Sequence, residues 1–169
     1  APCVLWCDEI EKGIATGDND NGTSKRVLAT LLTWMAENHR PVFVVATANN
    51  IADLPPELLR KGRMDEIFFV DLPNAEARKE IFAIHLKRRA LAPAHFNLDT
   101  LATRSEGFSG AEIEQAVVSA RYAAQAREVT VDESLLLAQL AATQPLSSVM
   151  AEQVAALRSW ASGRTVAAD

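Results

Sequence analysis

The sequence predicts an α/β unit built on parallel strands over residues 1–72, followed by an all-helical domain over residues 73–169. Three observations carry that expectation. Val4-Leu5-Trp6-Cys7 and Val42-Phe43-Val44-Val45-Ala46 are short apolar runs without charge, the pattern of strands buried in a parallel sheet. Each run ends abruptly in polar side chains, Asp8-Glu9 in the first and Thr47-Ala48-Asn49-Asn50 in the second. Ligands of open parallel sheets bind beyond the carboxyl ends of the strands, so both ends are candidate site positions. After Pro73 the apolar residues recur only at helical spacing.

The elements follow in order. The first strand is expected buried, and with it Cys3 and Cys7 as reduced thiols. Four residues apart on one strand, they are about 13 Å from each other, too far for a disulfide. No His or Cys lies near them at zinc-ligand spacing. Residues 11–24 are rich in Gly, Asn and Asp and read as a mobile loop. Ser24 is the expected cap of a helix from Lys25 to about Asn38, with Val27, Leu28, Leu31, Leu32 and Met35 on its apolar face. Pro41 breaks the chain before the second strand. Residues 51–66 read as a loop with one helical turn from Pro56 to Arg60, and Ile67–Val70 as a third strand.

Beyond Pro73, Asn74 is expected to cap a helix to about Arg89. A short helix near 98–104 follows, then one over 110–127, started by a capping box of Ser109 and Glu112. A second box of Thr130 and Glu133 should precede a helix from Leu135 to Leu140. One last helix is expected over about 148–162, with Met150, Val154, Leu157 and Ala161 on one stripe, and the tail from Gly163 should fray.

Composition excludes several classes. At 169 residues, 49% hydrophobic and 23% charged, the chain is an ordinary globular protein with enough residues for a core. A net charge of -5 argues against a nucleic-acid groove. No apolar run approaches the roughly 18 residues of a membrane span. The first residues do not form a signal peptide, so the expected compartment is the cytoplasm, or the plastid stroma in a plastid-bearing source.

Taken singly, the candidate site residues have bland explanations. An acidic pair after a strand marks a turn, Asn49 caps one, Arg60-Lys61-Gly62-Arg63 is a solvated basic loop, and His85 is a helix-surface histidine. Their order is more specific. Cys7-Asp8-Glu9-Ile10, then Ala46-Thr47-Ala48-Asn49, then Leu58-Leu59-Arg60-Lys61-Gly62-Arg63, and finally Ser109-Gly110-Ala111 at a helix start resemble the second half of a classical-clade AAA+ ATPase. The resemblance covers residues 2–127. It implies that the strands are the C-terminal half of a P-loop NTPase sheet and that the helices are its lid.

By that resemblance, Asp8 is the Walker B aspartate that holds Mg²⁺ through water, and Glu9 is the acid that polarises the attacking water. Asn49 matches the sensor-1 asparagine. Arg60 and Arg63 match arginine fingers that serve the nucleotide of a neighbouring subunit, which implies a ring, a hexamer in this family. His85 matches a lid-helix histidine near the adenine, and Gly110 and Ala111 the sensor-2 region, where this clade has a small residue rather than an arginine. Residues 11–24 fall at the second pore loop. Lys61-Gly62 replaces a common proline-glycine, and Met64 a usual aromatic. The ending Pro145–Glu152 with Leu157–Ala161 resembles AAA proteins of cyanobacteria, plastids and other bacteria that carry a hypothetical chloroplast reading-frame name.

These residues contain no Gly-x-x-x-x-Gly-Lys-Ser/Thr phosphate loop. The cofactors implied are therefore ATP and Mg²⁺ in a parent protein, with neither bound by this chain alone. Two functions stand: a part of an oligomeric ATPase that remodels a protein substrate, or a non-catalytic assembly module docking through its helices and Arg60/Arg63. With the phosphate-loop strand missing, apolar strand faces should be left uncovered, and self-association is the expected consequence.

Overall fold

Each apolar run forms its strand. In the computed structural model, which describes residues 1–14, 22–60 and 62–168, β1 (Cys3–Cys7) and β2 (Val42–Ala46) pair in parallel, from Cys3 opposite Val42 to Cys7 opposite Ala46. They belong to a first compact unit, Ala1–Phe69 with Trp160–Val166. The second unit is Val70–Ser159 with the chain from Ala167.

In the first unit, α1 (Ile10–Ile14) and α2 (Thr23–Glu37) accompany the strand pair. Ile10, Ile14, Leu54 and Leu58 form the buried core, against which Cys7, Ala46, Leu28, Leu31 and Met35 pack. Among the described residues, only one face of the strand pair is covered this way. Side chains alternate along a strand, so Val4, Trp6, Phe43 and Val45 share the opposite face. There Val4, Trp6 and Phe43 are 66%, 62% and 69% exposed. An uncovered apolar strand face is as expected; the expectation of buried thiols is corrected, since Cys3 is exposed and Cys7 half-buried, both free.

Other local expectations shift. The run from residue 11 does not open as loop, because α1 occupies Ile10–Ile14; residues 15–21 of the expected loop lie outside the described residues. Helix α2 begins at Thr23, one residue before the expected cap Ser24, after Gly22 in left-handed backbone (φ 76°). The segment after β2 contains an unforeseen 3₁₀ turn at Ile51–Asp53, where the Asn50 side chain accepts the Ala52 N–H at 3.2 Å. The third strand shrinks to β3 (Phe68–Phe69). It pairs with β4 (Val166–Ala167) rather than with β1–β2. The tail therefore does not fray from Gly163: the Val166 N–H donates to the Ile67 carbonyl at 2.9 Å.

The second unit is helical, as its period predicts. Helix α3 (Ala75–Arg88) starts at Asn74, whose side chain accepts the Ala77 N–H at 2.9 Å. Helix α4 (Leu98–Arg104) is capped by Asn97. Helix α5 (Gly110–Ala126) has the expected capping box: Ser109 N–H donates to Glu112 Oε2 at 2.7 Å, and Glu112 N–H to Ser109 Oγ at 3.3 Å. Phe82, Leu86, Leu101, Ile113, Val117 and Leu136 are fully buried between these helices. Arg78 is buried too, its guanidinium donating to the carbonyls of Ala102 and Pro73.

The second capping box does not form. Helix α6 (Glu133–Ala142) is capped by Asp132, which accepts the Leu135 N–H at 2.8 Å. Asp132 outcompetes Thr130 because it stands at the helix boundary, and Glu133 instead accepts the Asn97 N–H at 2.7 Å. The single helix expected at 148–162 is two, α7 (Leu146–Val149) and α8 (Ala151–Ala161). Met150 between them leaves helical backbone, at φ -115° and ψ 34°. Arg158 of α8 makes a bidentate ion pair with Asp71, at 2.8 Å and 3.0 Å from Nε.

Candidate functional site

The parallel register places Asp8-Glu9, after β1, beside Thr47, after β2. Thr47 ties the two ends together. Its N–H donates to the Cys7 carbonyl at 2.9 Å, and its carbonyl accepts the Ile10 N–H at 2.9 Å. Its hydroxyl accepts the Glu9 N–H at 2.9 Å and donates to Asp8 Oδ1 at 2.5 Å. One threonine thus fixes the main chain of one acid and the carboxylate of the other.

Glu9 sits in left-handed backbone (φ 47°), which costs a residue with a Cβ about 1–2 kcal/mol. Its surroundings hold it there. Asn49 Nδ2 donates to Glu9 Oε1 at 2.7 Å, and Lys12 pairs with Oε2. The hydrogen bond that Lys12 donates to Glu9 Oε2, and then the Glu9 charge, push the Lys12 ammonium above its ordinary pKa. Strain of this kind on an acid already gripped at three points is the pattern of a preorganised site.

Two residues away, Glu11 is buried, at 6% exposure. Its Oε1 accepts the Asn49 backbone N–H at 3.0 Å. The site segment therefore holds Asn49 twice, by side chain and by main chain.

The arginines lie on the segment that follows. Leu54 and Leu58 anchor it in the core. Arg63 is half-buried and donates to the Glu57 carbonyl at 2.6 Å. Arg60 is exposed, and among the described residues its side chain makes no hydrogen bond or ion pair. Neither arginine bonds to Asp8, Glu9 or Asn49 among the described residues. The structure assembles the two acids and the asparagine and leaves the arginines apart.

His85, Gly110 and Ala111 belong to the helical unit. There α3 and α5 bring His85 and Gly110 to one seam. A Cβ on Gly110 would meet Ile81 at 3.7 Å, ordinary contact, while one turn further Glu114 Oε1 lies 3.5 Å from His85 Nδ1. Arg89 donates to Glu114 at 2.7 Å and reaches His85 Nδ1 at 3.3 Å. The Arg89 hydrogen bond holds the Glu114 carboxyl below the usual range, with the Arg89 and Arg88 charges assisting. Ala111 is exposed.

This geometry can be compared with known proteins. Residues 1–72 match the family model described as ATPase family associated with various cellular activities (AAA), and residues 95–134 match the AAA+ lid domain. The chain belongs to the AAA family. It is 51% identical over 168 residues to the AAA domain-containing protein ycf46 of Trieres chinensis, a match spanning 96% of this chain and 33% of that protein. A ycf46 protein of Guillardia theta is 45% identical over 167 residues, covering 96% of this chain and 33% of that protein. The proteasome-activating nucleotidase of Sulfurisphaera tokodaii is 40% identical over 131 residues, 73% of this chain and 33% of that protein. The chain thus spans about a third of the length of these curated relatives.

In this AAA chain the architecture is an α/β core followed by a helical lid. Among its described residues no group of three or more His, Cys, Asp or Glu could hold a metal, and no helix is long and apolar enough to cross a membrane. Sequence reasoning did not find Thr47's bridge, the Asn49 anchor Glu11, or the pair Arg89–Glu114 at His85. Thr47 at least carried a signal, a hydroxyl at a strand's carboxyl end. Glu11 and Glu114 carried none, since their partners lie 38 and 25 residues away.

Proposed function

We propose that this chain is the portion of an oligomeric AAA ATPase that carries the hydrolytic acids, and that the whole protein couples ATP hydrolysis to remodelling of a protein substrate. The observation that carries the reading is the Asp8–Thr47–Glu9–Asn49 hydrogen-bonded set at adjoining strand ends. Asp8 is exposed and engages Thr47 through Oδ1 alone. A single carboxylate with water and phosphate oxygens is an ordinary Mg²⁺ shell, so Asp8 fits the ion. Bound there, Mg²⁺ supplies neutralisation of phosphate charge.

The remaining steps belong to the chain. Glu9 orients the attacking water and takes up its proton, and Asn49 fixes the Glu9 carboxylate through Oε1. Lys12 pairs with the other oxygen from an exposed position and yields it to water at low cost. Arg60, exposed and unpaired by other described residues, and Arg63, three positions on, reach a neighbouring subunit's phosphates in a ring of six. His85 lies on the adenine side with Gly110 and Ala111. The setting is the cytoplasm or a plastid stroma.

These 169 residues contain no phosphate loop, so the chain by itself lacks the backbone cradle for tight Mg-ATP binding. Calorimetric titration with Mg-ATP should give no micromolar affinity; a micromolar isotherm would overturn this. In an assembled protein that includes a phosphate loop, Glu9→Gln should lower turnover about 10²–10⁴-fold while its amide oxygen keeps the Asn49 bond. Unchanged turnover removes Glu9 from the mechanism.

A further inference from the structure

We propose that Glu11 is a positioning residue that locks Asn49 into the frame of Glu9. The inference rests on Glu9 and Asn49 acting together in hydrolysis. Three observations carry it. Glu11 is 6% exposed and lies on the same short helix as the core residues Ile10 and Ile14. Its Oε1 accepts the Asn49 N–H at 3.0 Å. Its Oε2 is buried with no hydrogen-bond partner among the described residues.

A buried carboxylate oxygen without a partner is a cost that folding alone does not select. Methionine would fill a similar buried volume without it. The acid is therefore explained by what Oε1 does. Glu9 and Glu11 lie two residues apart on one turn, and each takes one end of Asn49: Glu9 the carboxamide at 2.7 Å, Glu11 the main-chain N–H. A side chain hinged at its own backbone could swing by rotation about its two χ angles. Clamping the backbone to the same segment that carries Glu9 removes the relative motion, so carboxamide and carboxylate move as one body. Glu11 never touches the reacting atoms; it acts through Asn49.

Nuclear magnetic resonance on the full 169-residue chain tests this without nucleotide. Two signals are read: exchange protection of the Asn49 amide, and the shifts of the Asn49 carboxamide NH₂. In Glu11→Met, protection should fall about tenfold or more, the factor for one lost hydrogen bond, and the NH₂ signals should move. Glu11→Gln, whose amide oxygen still accepts, should restore both. A merely structural role would lower the melting temperature and leave the NH₂ signals in place; that result overturns the proposal. So does Glu11→Gln behaving as Glu11→Met. If Glu11→Met fails to fold, the unsubstituted chain still decides: an Asn49 amide that exchanges as fast as a free peptide refutes the clamp, and a protected one that remains protected in Glu11→Gln supports it. Failure of Glu9→Gln to slow turnover would remove the hydrolytic reading and leave these signals untouched, so the two failures are distinguishable.

Discussion

Replacing Thr47 by valine keeps the shape of the side chain and deletes its hydroxyl. Two hydrogen bonds go with it, one from the Glu9 N–H at 2.9 Å and one to Asp8 Oδ1 at 2.5 Å. The Glu9 N–H is half-buried, and an unpaired backbone donor there costs about 1–2 kcal/mol. Asp8 is exposed, so water replaces its lost donor and the second bond adds about 0.5 kcal/mol. The sum is about 2 kcal/mol. Thr47→Ser is the control: it keeps both bonds and loses one methyl, about 0.8 kcal/mol at full burial and less at this half-buried position. Urea unfolding read by tryptophan fluorescence measures the difference, because Trp6 and Trp34 both lie in the first unit. With a urea slope of about 1–3 kcal/mol per molar, the midpoint of Thr47→Val should drop by about 1 M and lie below that of Thr47→Ser. A Thr47→Val midpoint equal to that of Thr47→Ser, or higher, refutes the bridge.

Two further substitutions test the helical unit. Gly107 has φ +80°, and a Cβ there would stand 2.3 Å from Ser147 Oγ. Gly107→Ala should cost about 2 kcal/mol, most of it from the left-handed backbone. Adding Ser147→Ala should recover only the steric part, as a double-mutant cycle followed by circular dichroism would measure. Arg158 holds the Asp71 carboxyl below its ordinary range, mainly by hydrogen bonding, with help from the Leu72 N–H. A folded-state pKa that is depressed gives stability present above the unfolded carboxyl value, roughly 3.9, and lost as pH falls through the folded value. Because Arg158 and Asp71 are 50% and 33% exposed, the pair contributes only about 0.5–1 kcal/mol at neutral pH. Arg158→Gln should remove that amount and flatten the acid limb of the melting-temperature profile, with a smaller effect at high salt.

What the sequence made legible was whatever local chemistry settles. Asn74, Asn97 and the Ser109–Glu112 box bond within three residues of themselves, so α3, α4 and α5 begin where pattern reading places them. The strand ends carrying Asp8, Glu9 and Asn49 were legible because a charge-free run stops there. Features decided by distant partners were not. Strand β4 is two residues long, too short for periodicity, and exists by pairing with a segment about 100 positions earlier. Glu133 was misassigned because its partner is Asn97 rather than Thr130. The uncovered face of β1 was legible as well: among the described residues helices pack on the Cys7–Ala46 side, and Val4 and Trp6 on the other face are exposed. Thr47 and Glu11 acquire their roles only once β1 and β2 are side by side.

The β1–β2 register works as a ruler for the site. Five backbone pairs, Cys3–Val42 through Cys7–Ala46, set where the first strand's acids stand relative to Thr47 and Asn49, before any side chain is chosen. Substitutions within the strands alter how firmly that spacing is held, but not its value. A single inserted residue in β2 would advance Thr47 and Asn49 by about 3.3 Å and turn them toward the other face. Length, more than composition, is what this stretch of chain must conserve, so a one-residue insertion there should be more damaging than replacing every apolar side chain of β2 by another of its kind.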